Sequence, residues 1–319
     1  MSNGEIYRKT LVFSVRRLLI DLIMLLVYAG ICVLGFVILD KTTDHGLIGL
    51  GIGVVIVIAI AVLVSRFIKY TLYAGQIAMI TRGVTEGTLP DDVYGEGKRM
   101  VKERFTTVAV YFAATSIIKG IFRQIGNLIT KLGDAIGGDV GGTIGSVIST
   151  VIQVLIGYLC DCCLGWVFFR KEQSSGKATC EGAVIFFKHG KTLLRNMGRI
   201  FGMGLLSLLV IGGAFFGVAY LILSRFDNMF EAIAREIMEA AEGDVSPFFQ
   251  DPNNLALIAA AVVGVMLWGF IHSTFIRPFV LTGVMRNYME SGMNDIPTED
   301  QFAMLDSKSP KFAKLHQEL

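Results

Sequence analysis

The sequence predicts an all-α protein: a polytopic transmembrane helical bundle of about six spans in three hairpins, with outer-face amphipathic helices. Three observations lead there. Six stretches are apolar for long enough to cross a bilayer. Only 18% of residues are charged against 53% apolar, and mean hydropathy is +0.60; a water-soluble domain carries about 25% charged residues. Finally, 23 of the 29 Lys and Arg residues fall in one alternating set of the segments between those stretches.

The six runs are Leu18–Leu39, Gly46–Val64, Phe105–Ile121, Thr143–Phe169, Ile200–Leu223 and Leu255–Phe279. A helix rises about 1.5 Å per residue, so about 20 apolar residues cross the hydrocarbon core. The runs do not alternate apolar with polar residues, as barrel strands would. In lipid a helix bonds every backbone group internally. The first run is too long for the core of a signal peptide.

Orientation follows from charge. Residues 1–17, 66–104, 170–199 and 277–319 hold the 23 basic residues, and 40–45, 119–142 and 225–254 hold six. The positive-inside rule puts the first set, with both termini, in the cytoplasm. A bacterial plasma membrane is the expected location. Net charge is only +2, which argues against a nucleic-acid partner. The chain is expected to be one membrane domain, with hairpins at about 1–95, 96–180 and 181–295 and a cytoplasmic tail at 296–319.

The hairpins resemble one another. Each opens on a basic amphipathic stretch, "YRKTLVFSVRRLLIDL", "GKRMVKERFTTVAVYF" and "FFKHGKTLLRNMGRIFGM", with Arg17, Arg104 and Arg199 in equivalent places. Phe67-Ile68-Lys69 precedes Gly75 as Phe275-Ile276-Arg277 precedes Gly283. Either every inner boundary carries such residues, or the chain is built from repeats, as in transporters whose site lies between repeats near the midplane.

Two outer segments carry pattern. Gly133, Gly137, Gly141 and Gly145 recur every fourth residue beside Leu132, Ile136, Val140 and Ile144. On a helix they form a bare ridge for close packing or self-association; the alternative is a flexible glycine-rich loop. Residues 227–243 suit a surface helix capped by Asp227 and stopped at Gly243, with Phe230, Ile233, Ile237 and Ala241 on one face.

No enzyme motif is present, and no cofactor is expected. "HGKT" at 189–192 fails as a phosphate loop because Ile185 stands where glycine is needed. Polar residues inside spans are therefore the candidates. Asp21 is expected to pair with Arg17, four residues earlier. Asp161 reads either as a cation or proton site or as a carboxylate solvated by the cytosol. His272, with Ser273 and Thr274, precedes Arg277-Pro278, where a kink is expected; a carbonyl-capped histidine is the plain alternative. With Gln153 and Trp268, Asp161 and His272 make the candidate transport path. Cys160, Cys162, Cys163 and Cys180 read first as packing thiols, with acylation or a zinc site shared with His189 as the alternatives.

Residues 158–305 resemble the C-terminal part of the choline transporter-like family. The resemblance rests on Cys160-Asp161-Cys162-Cys163, then Cys180, Ala183 and Phe187, then Leu193-Leu194-Arg195-Asn196 with Arg199 opening a span. About three extra residues separate the cysteines from the Arg-Asn pair, and the family's large outer domain is absent. The resemblance implies a transporter-like helical bundle for choline or a related cation, with Trp268, Tyr158 and Trp166 as aromatic contacts.

Two function classes result. The first is a transporter or channel for a small solute, with a small cation as the partner. The second is a non-transporting membrane scaffold or oligomeric assembly subunit that uses the 133–145 ridge. The lipid bilayer is a partner in both, and a homo-oligomer fits either.

Overall fold

A computed structural model describes residues 1–43, 46–64, 68–105, 115–116, 118–120, 141–189, 197–240, 246–307 and 309–317. Among them there is helix and no strand. The helices are α1 (Asn3–Thr43), α2 (Gly46–Val64), α3 (Tyr70–Thr85), α4 (Val93–Arg104), α5 (Gly141–Phe169) and α6 (Ser175–Lys188). Next come α7 (Met197–Ser207), a π turn (Leu208–Gly212), α8 (Gly213–Leu223), α9 (Asp227–Ala240) and α10 (Pro247–Gln250). Last are α11 (Pro252–Ile271), a second π turn (His272–Ile276), α12 (Arg277–Asn294), α13 (Glu299–Asp306) and α14 (Pro310–Gln317).

Three continuous helices among the described residues are long and apolar enough to cross a membrane: Asn3–Thr42, Gly198–Leu223 and Pro252–Asn294. Two shorter apolar helices, Ile48–Val64 and Ile156–Phe169, accompany them. These helices do not confirm the expected six spans, part of which falls outside the described residues. The run Phe105–Ile121 lies largely outside the described residues. The run Thr143–Phe169 is helical, but its end, from Tyr158 to Phe168, is buried against protein.

The chain forms two compact units, Met1–Asn196 with Leu281–Leu319, and Met197–Val280. In the first unit, α1 has two characters. Ile6, Thr10, Phe13 and Ser14 are at most 1% exposed and recur at helical spacing, which makes an inward stripe. From Leu19 onward the apolar side chains are open: Leu22, Ile23, Leu25 and Leu26 are 45–75% exposed. Helix α2 packs back along that second half. Gly35 and Gly49 face each other so closely that a Cβ on either would overlap the other's backbone carbonyl. The close-packing glycines thus include a pair in the first hairpin that the sequence reading did not single out.

The segments expected as cytoplasmic connectors form a packed helical body. Helix α3 has ten of its sixteen residues buried, so it is enclosed nearly all round. It meets α5 and α12 at Gly165, where a Cβ would sit 2.7 Å from both Thr81 and Met285. These three helices each lead away from an apolar hairpin stretch. The three leading inward flank them. Phe13 of α1 lies against Gly75 of α3 and Gly97 of α4, and Gly182 of α6 lies against Cys163 and Tyr288. Arg286 closes the ring by donating to Asn3 Oδ1 at 2.6 Å and to the Met1 carbonyl at 2.8 Å. Inside, Gln76 donates to the Thr10 carbonyl and to Ser14 Oγ at 3.3 and 3.0 Å, so no amide donor is stranded.

Local signals set the ends. Asp92 accepts from the Gly95 N–H at 2.8 Å and Ser174 from that of Lys177 at 3.2 Å, capping α4 and α6. Gly87 takes a φ of 70° just past α3, a conformation that favours glycine. Thr298 and Gln301 form a capping box on α13. Helices α13 and α14 bring Phe302, Phe312 and His316 together, and both rest on α6.

In the second unit, α8 packs on α11, with Gly264 set against the Phe216 backbone. Helix α9 lies on α11 and buries Phe230 and Ala234. That agrees with the surface helix expected there, although Ile233 is 37% exposed. Gly243 lies outside the described residues.

Candidate functional site

The second unit holds the polar cluster. Its two π turns interrupt otherwise α-helical segments at Leu208–Gly212 and His272–Ile276. Each wider turn shifts the side chains around it. Trp268 Nε1 donates to Ser207 Oγ at 3.0 Å, and Ser207 Oγ donates to the Gly204 carbonyl at 2.8 Å. The Trp268 and His272 rings lie 5.1 Å apart at 39°. His272 Nε2 stands 4.0 Å from where a Gly204 Cβ would be, so glycine leaves that ring edge uncrowded. Thr274 is buried in the same π turn. A serine, an indole and an imidazole thus converge within one apolar hairpin.

Of the four residues predicted to line a path, Trp268 and His272 come together. Asp161 and Gln153 belong to the first unit. Asp161 is 5% exposed and sits in the packed body, so the reading of it as a solvated carboxylate is corrected: α5 continues into protein rather than into water. Gln153 is exposed on α5. Asp21 pairs with Lys69 across the first hairpin rather than with Arg17, whose guanidinium lies over Tyr73 instead. Gly133 and Gly137 lie outside the described residues. Gly141 and Gly145 fall in the first turns of α5, and the packing predicted for the ridge also lies outside what is described. The same holds for residues 193–196, which carried part of the family resemblance.

The four clustered cysteines are not in disulfides, and each is at most 8% exposed. Cys163 Sγ contacts the Thr179 carbonyl at 3.4 Å. Burial leaves no surface thiol there for acylation. No group of three His, Cys, Asp or Glu side chains converges among the described residues.

The sequence reading missed a second polar cluster, centred on Glu181, whose side chain is 5% exposed. Oε2 accepts from Trp166 Nε1 at 3.1 Å and Arg170 Nε at 3.0 Å. Oε1 accepts from Arg170 Nη2 at 3.4 Å and Gln173 Nε2 at 2.7 Å. Arg104 then donates to the carbonyls of Gln173 and Arg170 at 2.6 and 3.1 Å. Each carboxylate oxygen already takes two donors, so the cluster is a latch joining α4, α5 and α6 rather than a ligand site. The only early signal was the run of donors Trp166, Arg170 and Gln173 near an acidic residue. Beside it a cleft of about 190 Å³ is lined by Met100, Glu103, Arg104, Phe168 and Lys171. It is smaller than the few hundred Å³ typical of small-molecule sites.

The described residues define a class: they are helical, without strand, and include three helices long and apolar enough to cross a membrane. Comparison with protein-family models, curated proteins and solved structures returns no match.

Proposed function

We propose that this chain is an integral membrane protein that moves a small cationic solute across a bilayer, with Ser207, Trp268 and His272 as its contact site. The observation that carries the reading is the pair of π turns in one apolar hairpin, with Ser207 just before the first, His272 opening the second and Trp268 joined to both residues. Such turns gather at functional sites, and an ionisable residue in a membrane segment is the default functional candidate. The indole face suits a cation, which is also the solute class implied by the resemblance of residues 158–305 to the choline transporter-like family. In this reading both termini are cytoplasmic, the orientation that the uneven spread of basic residues supports, and the membrane is a bacterial plasma membrane. The reading does not need Asp161 or Gln153.

Uptake into proteoliposomes tests it, with choline and smaller ammonium ions as probes. Saturable uptake is expected, reduced at least tenfold in Trp268→Leu and His272→Ala and unchanged in Asp161→Asn. Absence of uptake by the wild-type protein would reject the reading.

A second reading, a non-transporting scaffold or assembly subunit, has its own support. The latch at Glu181 and the helices packed around it make a firm platform within the first unit. Self-association through the 133–145 ridge belongs to this reading. If it holds, Gly137→Leu reduces the oligomer size measured in detergent.

A further inference from the structure

In the second unit, two glycines give the register of α8 on α11. Gly264 lies against the Phe216 backbone, and Gly212, just before α8, faces Trp268. The two helices therefore run antiparallel, and a step along one is matched by a step back along the other. That register puts Leu223, the end of α8, opposite Leu257, and Phe226 opposite Asn254 in the first turn of α11. Both connecting segments are tied to this level. The Phe226 N–H donates to the Leu223 carbonyl at 3.0 Å, and Asn254 Nδ2 donates to the Phe248 carbonyl at 3.1 Å. Phe226 at the start of α9 and Phe248 in α10 thus sit together at the closed end of this hairpin.

Helix α9 carries more apolar surface than the protein covers. At helical spacing Phe230 and Ala234 form one edge of its apolar arc, and they are 5% and 3% exposed. Phe226, Met229 and Ile233 form the other edge and are 52%, 44% and 37% exposed. Glu231 and Arg235 are exposed on the side of the helix away from that open edge. Phe248 and Phe249 of α10 are open as well, with their rings edge to face at 5.5 Å. Leu221, Ile222 and Leu257, at the adjoining ends of α8 and α11, continue the same open apolar surface.

We propose that α9 and α10 are an interfacial lipid-contact element, with Phe226, Met229, Ile233, Phe248 and Phe249 set into the boundary between headgroups and acyl chains. The proposal rests on the membrane reading of this chain. Its occupant is argued from continuity and charge. The open edge joins the surface of two helices long and apolar enough to cross a membrane, so the lipid around those helices meets it too. Residues 227–240 hold four acidic side chains and one basic, which gives anionic headgroups no pull. The contact is therefore apolar and suits a zwitterionic phospholipid such as phosphatidylcholine.

Depth-dependent quenching in nanodiscs of phosphatidylcholine alone tests it. The full chain, in a Cys32→Ala background, carries a bimane label at Met229→Cys, Phe249→Cys, Val265→Cys or Arg235→Cys in turn. Val265 is 53% exposed in the middle of α11 and reports on the span, and Arg235 reports on water. An interfacial helix sinks only about 5–10 Å, so labels at 229 and 249 should be quenched about twofold more by lipid with a nitroxide near the headgroup than by lipid with one at the chain end. The label at 265 should show the reverse order, and the label at 235 should answer to aqueous iodide. All four positions are exposed, so an unchanged melting temperature will show that the variants fold. If 265 is quenched by lipid while 229 and 249 behave like 235, the proposal is overturned and the membrane reading stands; a second copy or another protein then covers the face. If 265 is not quenched by lipid either, the membrane reading fails and takes the proposal with it.

Discussion

Glu181 shows what one buried carboxylate does when every oxygen is matched. Removing it strands the Trp166 indole and the Gln173 amide and leaves Arg170 with Glu172 alone. Glu181→Ala should therefore destabilise the first unit by about 3 kcal/mol, read from equilibrium unfolding in detergent, and Glu181→Gln by less. Asp295 works at the surface. Its hydrogen bond from Lys188 at 2.6 Å, with His189 at 3.2 Å, holds its carboxyl below the usual 3.8. A lowered folded-state value means that the contact stabilises fully above pH 3.8 and is lost as pH falls further. The melting-temperature gap between wild type and Asp295→Asn should be constant from pH 5 to 8 and close in stronger acid. Burial pushes the Cys180 thiol up to about 12. With Cys160, Cys162 and Cys163 it should resist iodoacetamide at pH 8 until the protein is denatured, as mass spectrometry of the alkylated peptides will report. The cysteine cluster was legible as packing thiols, because four neighbouring apolar thiols with no matching ligand spacing suit a core. Glu181 was not legible, because its three donors come from residues 8 to 15 positions away and only folding brings them together.

At the scale of single helices, the first hairpin depends on backbone contact. A side chain at Gly49 must push α1 away from α2, whereas Gly51 has nothing within 4 Å of where its Cβ would lie. Gly49→Val should cost about 1–3 kcal/mol, measured by unfolding in mixed detergent, and Gly51→Ala should be close to neutral. Helix α3 shows the opposite limit of sequence reading. Its stretch from Leu72 to Ile80 carries no charge, yet it is too short to span. It was therefore assigned to a connector, although it is the most enclosed helix of the body. The π turns were also invisible, since an inserted residue leaves the apolar pattern almost unchanged. Even so, Phe275-Ile276-Arg277 and Phe67-Ile68-Lys69, matched by sequence alone, both carry π geometry among their described residues, at Phe275–Ile276 and at Ile68–Lys69.

In the whole chain, the ring in the first unit ties the start of the sequence to its end. Arg286 holds Met1 and Asn3, and the last two helices rest on α6. Under the membrane reading proposed above, both ends lie on one face. Cysteines placed at Ser2 and Ser307 in a background without accessible thiols should both escape an impermeant maleimide in intact cells and both react after lysis. Opposite labelling of the two would break the assigned topology. The sequence by itself determined the helical class and the apolar runs, because a helix in lipid satisfies its backbone alone and needs only length and composition. Tertiary structure decided which apolar residues stay open and which pack against protein. Leu22 and Leu164 look alike in composition, yet one is 45% exposed and the other 2%. Hydrocarbon and a packed core accept the same side chains, so only the neighbouring helices separate a span from a core.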